Sequence, residues 1–445
     1  MVLKYAPDWL PAVAGTYLVG GCVRDLLLGR VPADYDLAVT GDPSESARAL
    51  AAAVAGRVVE IGRADLRLWR VAAARRIIDV TPAAGGSIAE DLRRRDFTIN
   101  ALAIDTATGE IIDVTGGRSD LSAGIIRMVA ASAFNADPVR LIRAFRLAAG
   151  LEFVIEPLTL AAIRRGASLI QNSAGERIRE ELFKLLACRN AHPHLTAMAA
   201  TGVLQAIFTE IDPSLFSPGL SSIQAIETLL DGFASFPPDL AALLSAEFPE
   251  HRQALLKLAV LLRSSGSRRQ AGTDFPTQIR NRLRLSNRDT ARLESLLRPD
   301  ALPWKALSEK SPSAREEVSF FRRSGTEAPD LLLLAMATCG ADPAAFPGPP
   351  EALDAAIRKW LAAHFFRYRP QALSPPPITG NDLIHEFGLK PSGRFKDILD
   401  FVEEERLSRD GLTRPEALEL VKKLLEKLPE AKAGVPSRKP AGWNP

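Results

Sequence analysis

The chain has 445 residues, a net charge of +3 and 47% apolar residues, which bounds it as a folded protein of about three domains. No apolar run approaches the ~18 residues that span a bilayer, and MVLKYAPDWLPAV lacks the basic-then-apolar order of a secretory signal. Cys22, Cys188 and Cys339 are too scattered for a zinc site or a disulfide framework, so the expected setting is cytoplasmic, and a basic complement dominated by Arg favours phosphate-bearing partners.

Residues 1–130 mix strands with helices. Strands are expected at Tyr17–Val19, Asp36–Val39, Arg57–Ile61, Leu68–Val71, Arg76–Val80, Ala101–Asp105 and Ile111–Val114, with a helix over Ser44–Val54 that starts at Asp42-Pro43. The fold class is α+β, a small mixed-sheet head. Within it, YLVGGCVRDLLLGRVPADYDLAV reads as strand, Gly20-Gly21 turn, helix, loop and second strand. Glycines let the backbone approach phosphate, the next helix begins there, and Arg24 adds a forked donor. Asp34 and Asp36, two apart on one strand, send both carboxylates to one face, the spacing that hard cations need. Asp25 lies about 100° round the helix from Arg24 and is expected to orient loops or pair with a basic residue rather than bind metal.

Asp79 sits alone in the β-branched run Arg76–Thr81. A carboxylate there is costly unless paired or metal-bound. It is a candidate base, a further metal ligand, or simply an exposed strand position. Further on, EDLRRRDFTINA sets Arg93, Arg94 and Arg95 beside Asp96, Thr98 and Asn100, a polar lining suited to phosphate and ribose hydroxyls.

From Asp137 the pattern is helical: Pro138–Ala149, Pro157–Gly166, Gly175–Ala187 and His194–Gly202, then Ile223–Leu230, Ala254–Leu262, Thr277–Leu283 and Asp289–Leu297. With Arg140 at 0°, Arg143 falls at about 300° and Arg146 at about 240°. Leu141, Ile142, Phe145 and Ala148 fill the opposite sector, so one side is core and the other an arginine ladder. Asp137 before Pro138 is the expected cap, and an acceptor beside the Arg140 donor can also read a base edge. On Gly175–Leu186 the charges over an apolar seam read as a supporting helix. Prolines at 346–350 and 374–377 mark joints, 380–425 gives short helices, and 431–445 is expected to be disordered. The expected layout is a head over 1–130, a neck over 131–205, a helical body over 206–370 and a tail over 371–430.

Taken together, GGCVRDLLLG with DYD, EDLRRRDFTINALAID, IIDVTGGRSDL, DPVRLIRAFRLAAGLEF and ERIREELFKLL resemble, in family order, the bacterial class II tRNA nucleotidyltransferases (the CCA-adding enzymes) and their poly(A) polymerase relatives. The resemblance implies addition of C and/or A to the tRNA 3′ end from CTP and ATP, with Mg2+ held by Asp34 and Asp36 and Asp79 as a third candidate. It implies nucleotide contacts from Gly20, Gly21, Arg24, Arg95 and Asn100, base selection by Asp137 and Arg140, and support from Arg143 and Arg146. Three departures stand out. Ala136 replaces the Glu common before the selecting Asp. The link from Asp79 to Glu90 is short where many CCA-adding members carry a longer loop, which leaves CC-only or A-only addition open. Ile61–Asp65 does not match the GRR-type stretch of poly(A) polymerases. Relatives with an appended HD phosphohydrolase domain carry His-Asp where Arg263-Ser264 stands, so that metal site is expected to be absent. The arginines from Arg263 to Arg292, with Arg268 and Arg269 among them, form either a candidate tRNA backbone surface or simply solvated helix faces.

Overall fold

A computed structural model describes residues 7–62, 67–73, 76–263, 275–308, 313–409 and 411–427. Ser264, Arg268, Arg269, part of the 61–65 stretch and the 431–445 tail lie outside the described residues. The chain forms two compact units, one of residues 1–231 with 248–297 and one of 232–247 with 298–445.

The first unit opens with β1 (Thr16–Val19), α1 (Gly21–Leu27), β2 (Tyr35–Val39), α2 (Pro43–Ala53), β3 (Arg57–Ile61), β4 (Leu68–Ala73), β5 (Arg76–Pro82), α3 (Ile88–Arg93), β6 (Leu102–Asp105) and β7 (Ile111–Asp113). The sheet order is β3-β4-β5-β2-β1-β6-β7. Only β2–β5 is parallel; the other neighbours run antiparallel. This is the mixed sheet that the sequence pattern implies.

Strand alternation divides the sheet into an apolar face and a face that carries chemistry. Leu18, Leu37, Val71, Ile78, Val80 and Ile104 are all buried on the first. The register sets Arg70 opposite Asp79, Asp79 beside Asp36, and Asp36 opposite Val19, so these side chains line one row of the second. Where the row turns apolar, Val19, Ala38 and Ala103 pack with Leu92 of α3 and with Ala83 and Ala101. The helix α2 starts as expected: Asp42 accepts from Ser44 N at 2.7 Å and Pro43 follows.

Beyond the sheet come α4 (Gly117–Ala123), β8 (Ile125–Ile126), α5 (Ser132–Ala136), α6 (Arg140–Leu151), β9 (Val154–Ile155), α7 (Pro157–Gly166) and α8 (Gly175–Ala187). Asp113 accepts four backbone N–H groups at the start of α4, from Thr115, Gly116, Gly117 and Arg118. Burial opposes its ionisation, but these bonds hold its carboxyl below the usual range. Gly117 is needed for close packing, because a β-carbon there would meet the Thr98 carbonyl oxygen at 2.1 Å. Thr98 in turn donates to buried Asp120 at 2.7 Å, and Arg127 bridges Asp120 and Glu156. These bonds tie the sheet to the helices that follow.

Two residues separate the expected and observed starts of α6. Asp137 is extended, with φ −149°, and its carboxylate accepts from Val139 N at 3.3 Å, so the turn precedes the helix instead of opening it at Pro138. Behind α8, Lys257 of the helix Glu250–Arg263 is buried; it donates to Glu227 at 2.8 Å and to the Cys188 carbonyl at 2.7 Å.

The second unit is helical. Ala314–Ser324, Ala328–Ala341 and Pro350–Ala363 form its larger part. Gly380–Phe387, Gly393–Leu407 and Arg414–Lys427 gather round Ile378, Leu383, Ile398, Val402, Ala417 and Val421. The prolines at 346–350 fall between Ala328–Ala341 and Pro350–Ala363, and Pro350 opens the second of these helices. Among the described residues no helix is long and apolar enough to cross a membrane.

Candidate active site

The site begins at β2. Asp36 is open to solvent on one side and crowded on the other. Partial burial raises its carboxyl pKa; the Asp79 and Asp34 charges add to the rise and Arg95 opposes it. Asp34 is exposed one residue before the strand. Two carboxylates that repel one another and offer only oxygen are a donor set for a hard divalent cation, so the residues fit such an ion. Asp79 is differently placed. Its two oxygens each accept from Arg70, Nε and Nη2, at 2.8 Å. Among the described residues no third His, Cys, Asp or Glu completes a cage with the pair.

Gly20 forms the floor between cation and anion. Its φ is +77°, and a β-carbon on it would lie 2.9 Å from Arg95 Nη1 and 3.5 Å from Asp36 Oδ2. Arg95 is aimed by Asp91, which accepts from its Nε and Nη2 at 2.9 and 2.8 Å. Beside Gly21, Arg24 gives Nε and Nη2 to Asp25 and Nη1 to Asn100 at 2.9 Å. Asp25 thus pairs with a basic residue, as its place on the helix suggests. Cys22, under the turn, is inert: burial pushes its thiol up to about 11.

From Asn100 a polar chain runs into the helices. Asn100 donates to Asp96 at 3.1 Å, and Asp96 accepts from Arg143 at 3.2 Å. Arg143 reaches Glu181 of α8 at 3.0 Å, and Arg146 meets the other oxygen of Glu181 at 2.6 Å. The arginine ladder of α6 is therefore internally paired for two of its three rungs. Arg140 donates instead to the carbonyls of Arg94 and Ala133, at 3.2 and 3.3 Å. Asp137 lies at the start of this ladder and accepts from Arg177 of α8 at 2.8 Å.

The structure thus gathers the predicted residues into two groups. Gly20, Gly21, Arg24, Asp36, Arg95 and Asn100 meet at the β1–α1 turn, with Asp34 just before β2 and Asp79 beside Asp36 but paired to Arg70, and Asp137, Arg140, Arg143 and Arg146 line the start of α6. Sequence reading missed Arg70 and Asp91 as partners, and gave Arg177 and Glu181 only as charges of a supporting helix. Arg70 was within reach, because pairing the runs 68–71 and 76–80 as a hairpin with Ala73 opposite Arg76 sets it against Asp79. The basic stretch is partly structural: Arg282 donates to the carbonyls of Ile207 and Ile170, and Arg263 to that of Leu296. Arg280, Arg284 and Arg288 are exposed.

Residues 16–127 match the family model of the poly A polymerase head domain, and residues 152–215 match the model described as the probable RNA and SrmB-binding site of polymerase A. The chain is 34% identical to a CC-adding tRNA nucleotidyltransferase of Geobacter sulfurreducens, over 91% of this chain and 90% of that protein. It is 32% identical to an A-adding tRNA nucleotidyltransferase of Deinococcus radiodurans, over 96% and 100%. Its fold is that of a CCA-adding enzyme solved with ATP (TM-score 0.70, 24% identity, 94% of this chain and 91% of that one). A Thermotoga maritima CCA-adding enzyme solved with tRNA is similar in fold too (TM-score 0.68, 24% identity, 92% and 91%).

Proposed function

The chain belongs to the family of tRNA nucleotidyltransferases and poly(A) polymerases, and from that premise we propose that it adds C and/or A residues to the tRNA 3′ end from CTP and ATP without a nucleic-acid template. The observation that carries this reading is the meeting of Asp36, Gly20 and Arg95 at one turn, with Asp34 one residue before the strand. Nucleotidyltransferases of this family use a divalent metal, and Mg2+ suits two carboxylates together with triphosphate oxygens. Bound there, it would stabilise the charge that develops at the α-phosphate and on the leaving pyrophosphate.

The chain's own residues do the rest. Gly20 and Gly21 leave room for the triphosphate, while Arg95 and Arg24, aimed by Asp91 and Asp25, neutralise it. The tRNA 3′-hydroxyl attacks the α-phosphorus in line, a phosphate ester bond forms, and the bond to pyrophosphate breaks. Asp137 accepts from a base amino group and Arg140 donates to a ring-nitrogen acceptor, a pattern that C and A share and that U and G lack. Arg143 and Arg146 hold that helix to α8 through Glu181, and Arg143 ties it to Asp96 beside the site. A tRNA-processing role sets the work in the cytoplasm.

A narrower reading, addition of C only or of A only, rests on one feature. The chain passes from the end of β5 at Pro82 to α3 at Ile88 through a single turn, Ala84–Gly86, where many CCA-adding members have a longer loop. Purified protein incubated with tRNA lacking all, two or one of its terminal residues, with CTP and ATP supplied separately and together, separates the cases. Extension of tRNA lacking CCA by C alone, or extension by A of only the tRNA that lacks its final residue, selects the narrower reading. No incorporation into any of the three tRNAs sinks both.

A further inference from the structure

Asp79 and Asp36 are register partners on adjacent parallel strands, whose backbones lie only ~4.8 Å apart. Two like charges in that position repel. The neighbouring strand supplies the answer: Arg70 is the register partner of Asp79 on its other side and takes both oxygens in a fork. The pair is partly shielded, with side-chain exposures of 40% for Arg70 and 21% for Asp79. A bidentate guanidinium fixes the plane of the carboxylate as well as its position, and it does not lose its proton at any working pH. Asp79 is therefore turned along the sheet toward β4, while Asp36 on its other flank has no such forked partner among the described residues.

We propose that Arg70 is a positioning residue for the metal centre: it withholds Asp79 and so sets the cation-binding charge at that of the Asp34–Asp36 pair. The proposal rests on the reading that Asp34 and Asp36 bind a divalent ion. It explains how a third carboxylate can stand in the row of the site without making a three-acid cluster. A three-acid cluster would bind its ion more tightly and release it with the pyrophosphate less readily. Lysine in place of Arg70 supplies charge but no fork, so it holds Asp79 only in part.

The test is Mn2+ binding to the full chain without nucleotide, followed by the electron paramagnetic resonance signal of free Mn2+. Arg70→Met keeps an unbranched stem and removes the guanidinium; it is expected to tighten Mn2+ binding at least about tenfold, one further carboxylate ligand being worth 1.4 kcal/mol or more. The gain is expected to vanish in the double variant Arg70→Met with Asp79→Asn, and Arg70→Lys falls between. Asp79→Asn alone is expected to leave Mn2+ affinity within twofold of the unmodified chain. Unchanged or weaker binding by Arg70→Met overturns the proposal, and so does a loss of affinity in Asp79→Asn alone. Asp36→Asn is the control for the underlying reading. If it leaves Mn2+ binding intact, the metal assignment fails; if it abolishes binding while Arg70→Met has no effect, only the role of Arg70 fails.

Discussion

Arg177 donates Nη2 to Asp137 Oδ2 at 2.8 Å, whereas Arg140, one turn along from Asp137, stands 3.9 Å from the same oxygen. The proposed base-reading acceptor is thus held from α8, outside its own helix. Burial works against its ionisation, but the Arg177 bond and the charges of Arg177, Arg140 and Arg143 keep its carboxyl below the ordinary carboxylate range. Asp137 remains an acceptor throughout neutral pH. Arg177→Met loses one charge-assisted bond, about 1.5–3 kcal/mol, much of it recovered through solvent because Arg177 is half exposed. The ratio of kcat/KM for CTP to that for UTP should fall about threefold to tenfold, and Arg140→Ala should lower it further. Equal ratios in all three proteins would return this helix to a packing role.

Asp36→Asn tests the other end of the reaction. Removing one of two metal-binding carboxylates takes away several kcal/mol of transition-state charge stabilisation, so incorporation should fall at least about 1000-fold. The affinity for tRNA, measured by filter binding, should stay within about threefold. The same variant has a stability signature. A carboxyl whose folded pKa is raised binds more protons in the folded state than in the unfolded one. Stability is therefore lost as pH rises from the ordinary carboxylate value through the raised one. Without metal, Asp36→Asn should melt higher than the unmodified chain at pH 7. The difference should shrink once pH drops below the ordinary carboxylate range. An equal melting temperature at pH 7 contradicts the crowding argument.

What the sequence disclosed and what it hid follow from the range of each signal. Strands at 17–19, 36–39, 57–61 and 76–80 are legible because their alternation is local, and Asp34 with Asp36 is legible because two residues on a strand share a face. Register is not local. Nothing in the run around Leu68 marks Arg70 as the partner of Asp79 until the hairpin is aligned, and the parallel pairing of β2 with β5 cannot be read from either strand. The helix α8 is the milder case. Its supporting role is legible from charges over an apolar seam, but not its partners: Glu181 and Arg177 hold three of the residues singled out on and before α6. The cap at Asp137 misled because Asx-turn and N-cap use the same residue types.

Glu181 makes that last point testable. It is only 7% exposed at its side chain and faces two guanidinium groups. Leaving a buried charge without its partner costs about 3–5 kcal/mol, and the partial exposure of Arg143 and Arg146 should bring this down to about 2–3 kcal/mol. Glu181→Ala should lower the denaturant midpoint accordingly. It should also weaken nucleotide selection, because Arg143 links Glu181 to Asp96 and through it to Asn100. Glu181→Gln keeps the shape and part of the bonding, and should lose less in both measurements. A stability loss with selection unchanged in both variants would make the network a fastener of the fold alone.

Gly20 tests whether the floor of the site must be bare. At φ +77° any other residue is strained, at about 1–2 kcal/mol. The second effect is specific: the new β-carbon would press on Arg95 Nη1, 2.9 Å away, and Arg95 is fixed by Asp91 on its far side. Gly20→Ala should therefore displace the guanidinium from the triphosphate path and raise the KM for CTP about tenfold or more, the worth of one charge-assisted hydrogen bond. Shortening Arg95 to Lys in the same chain removes the clash but not the strain, so the doubly substituted protein should recover stability only slightly. Its KM should not rise above that of Arg95→Lys alone. If Gly20→Ala still raised KM tenfold in the Arg95→Lys background, the effect would come from the backbone turn itself, and Arg95 would not be what the glycine makes room for.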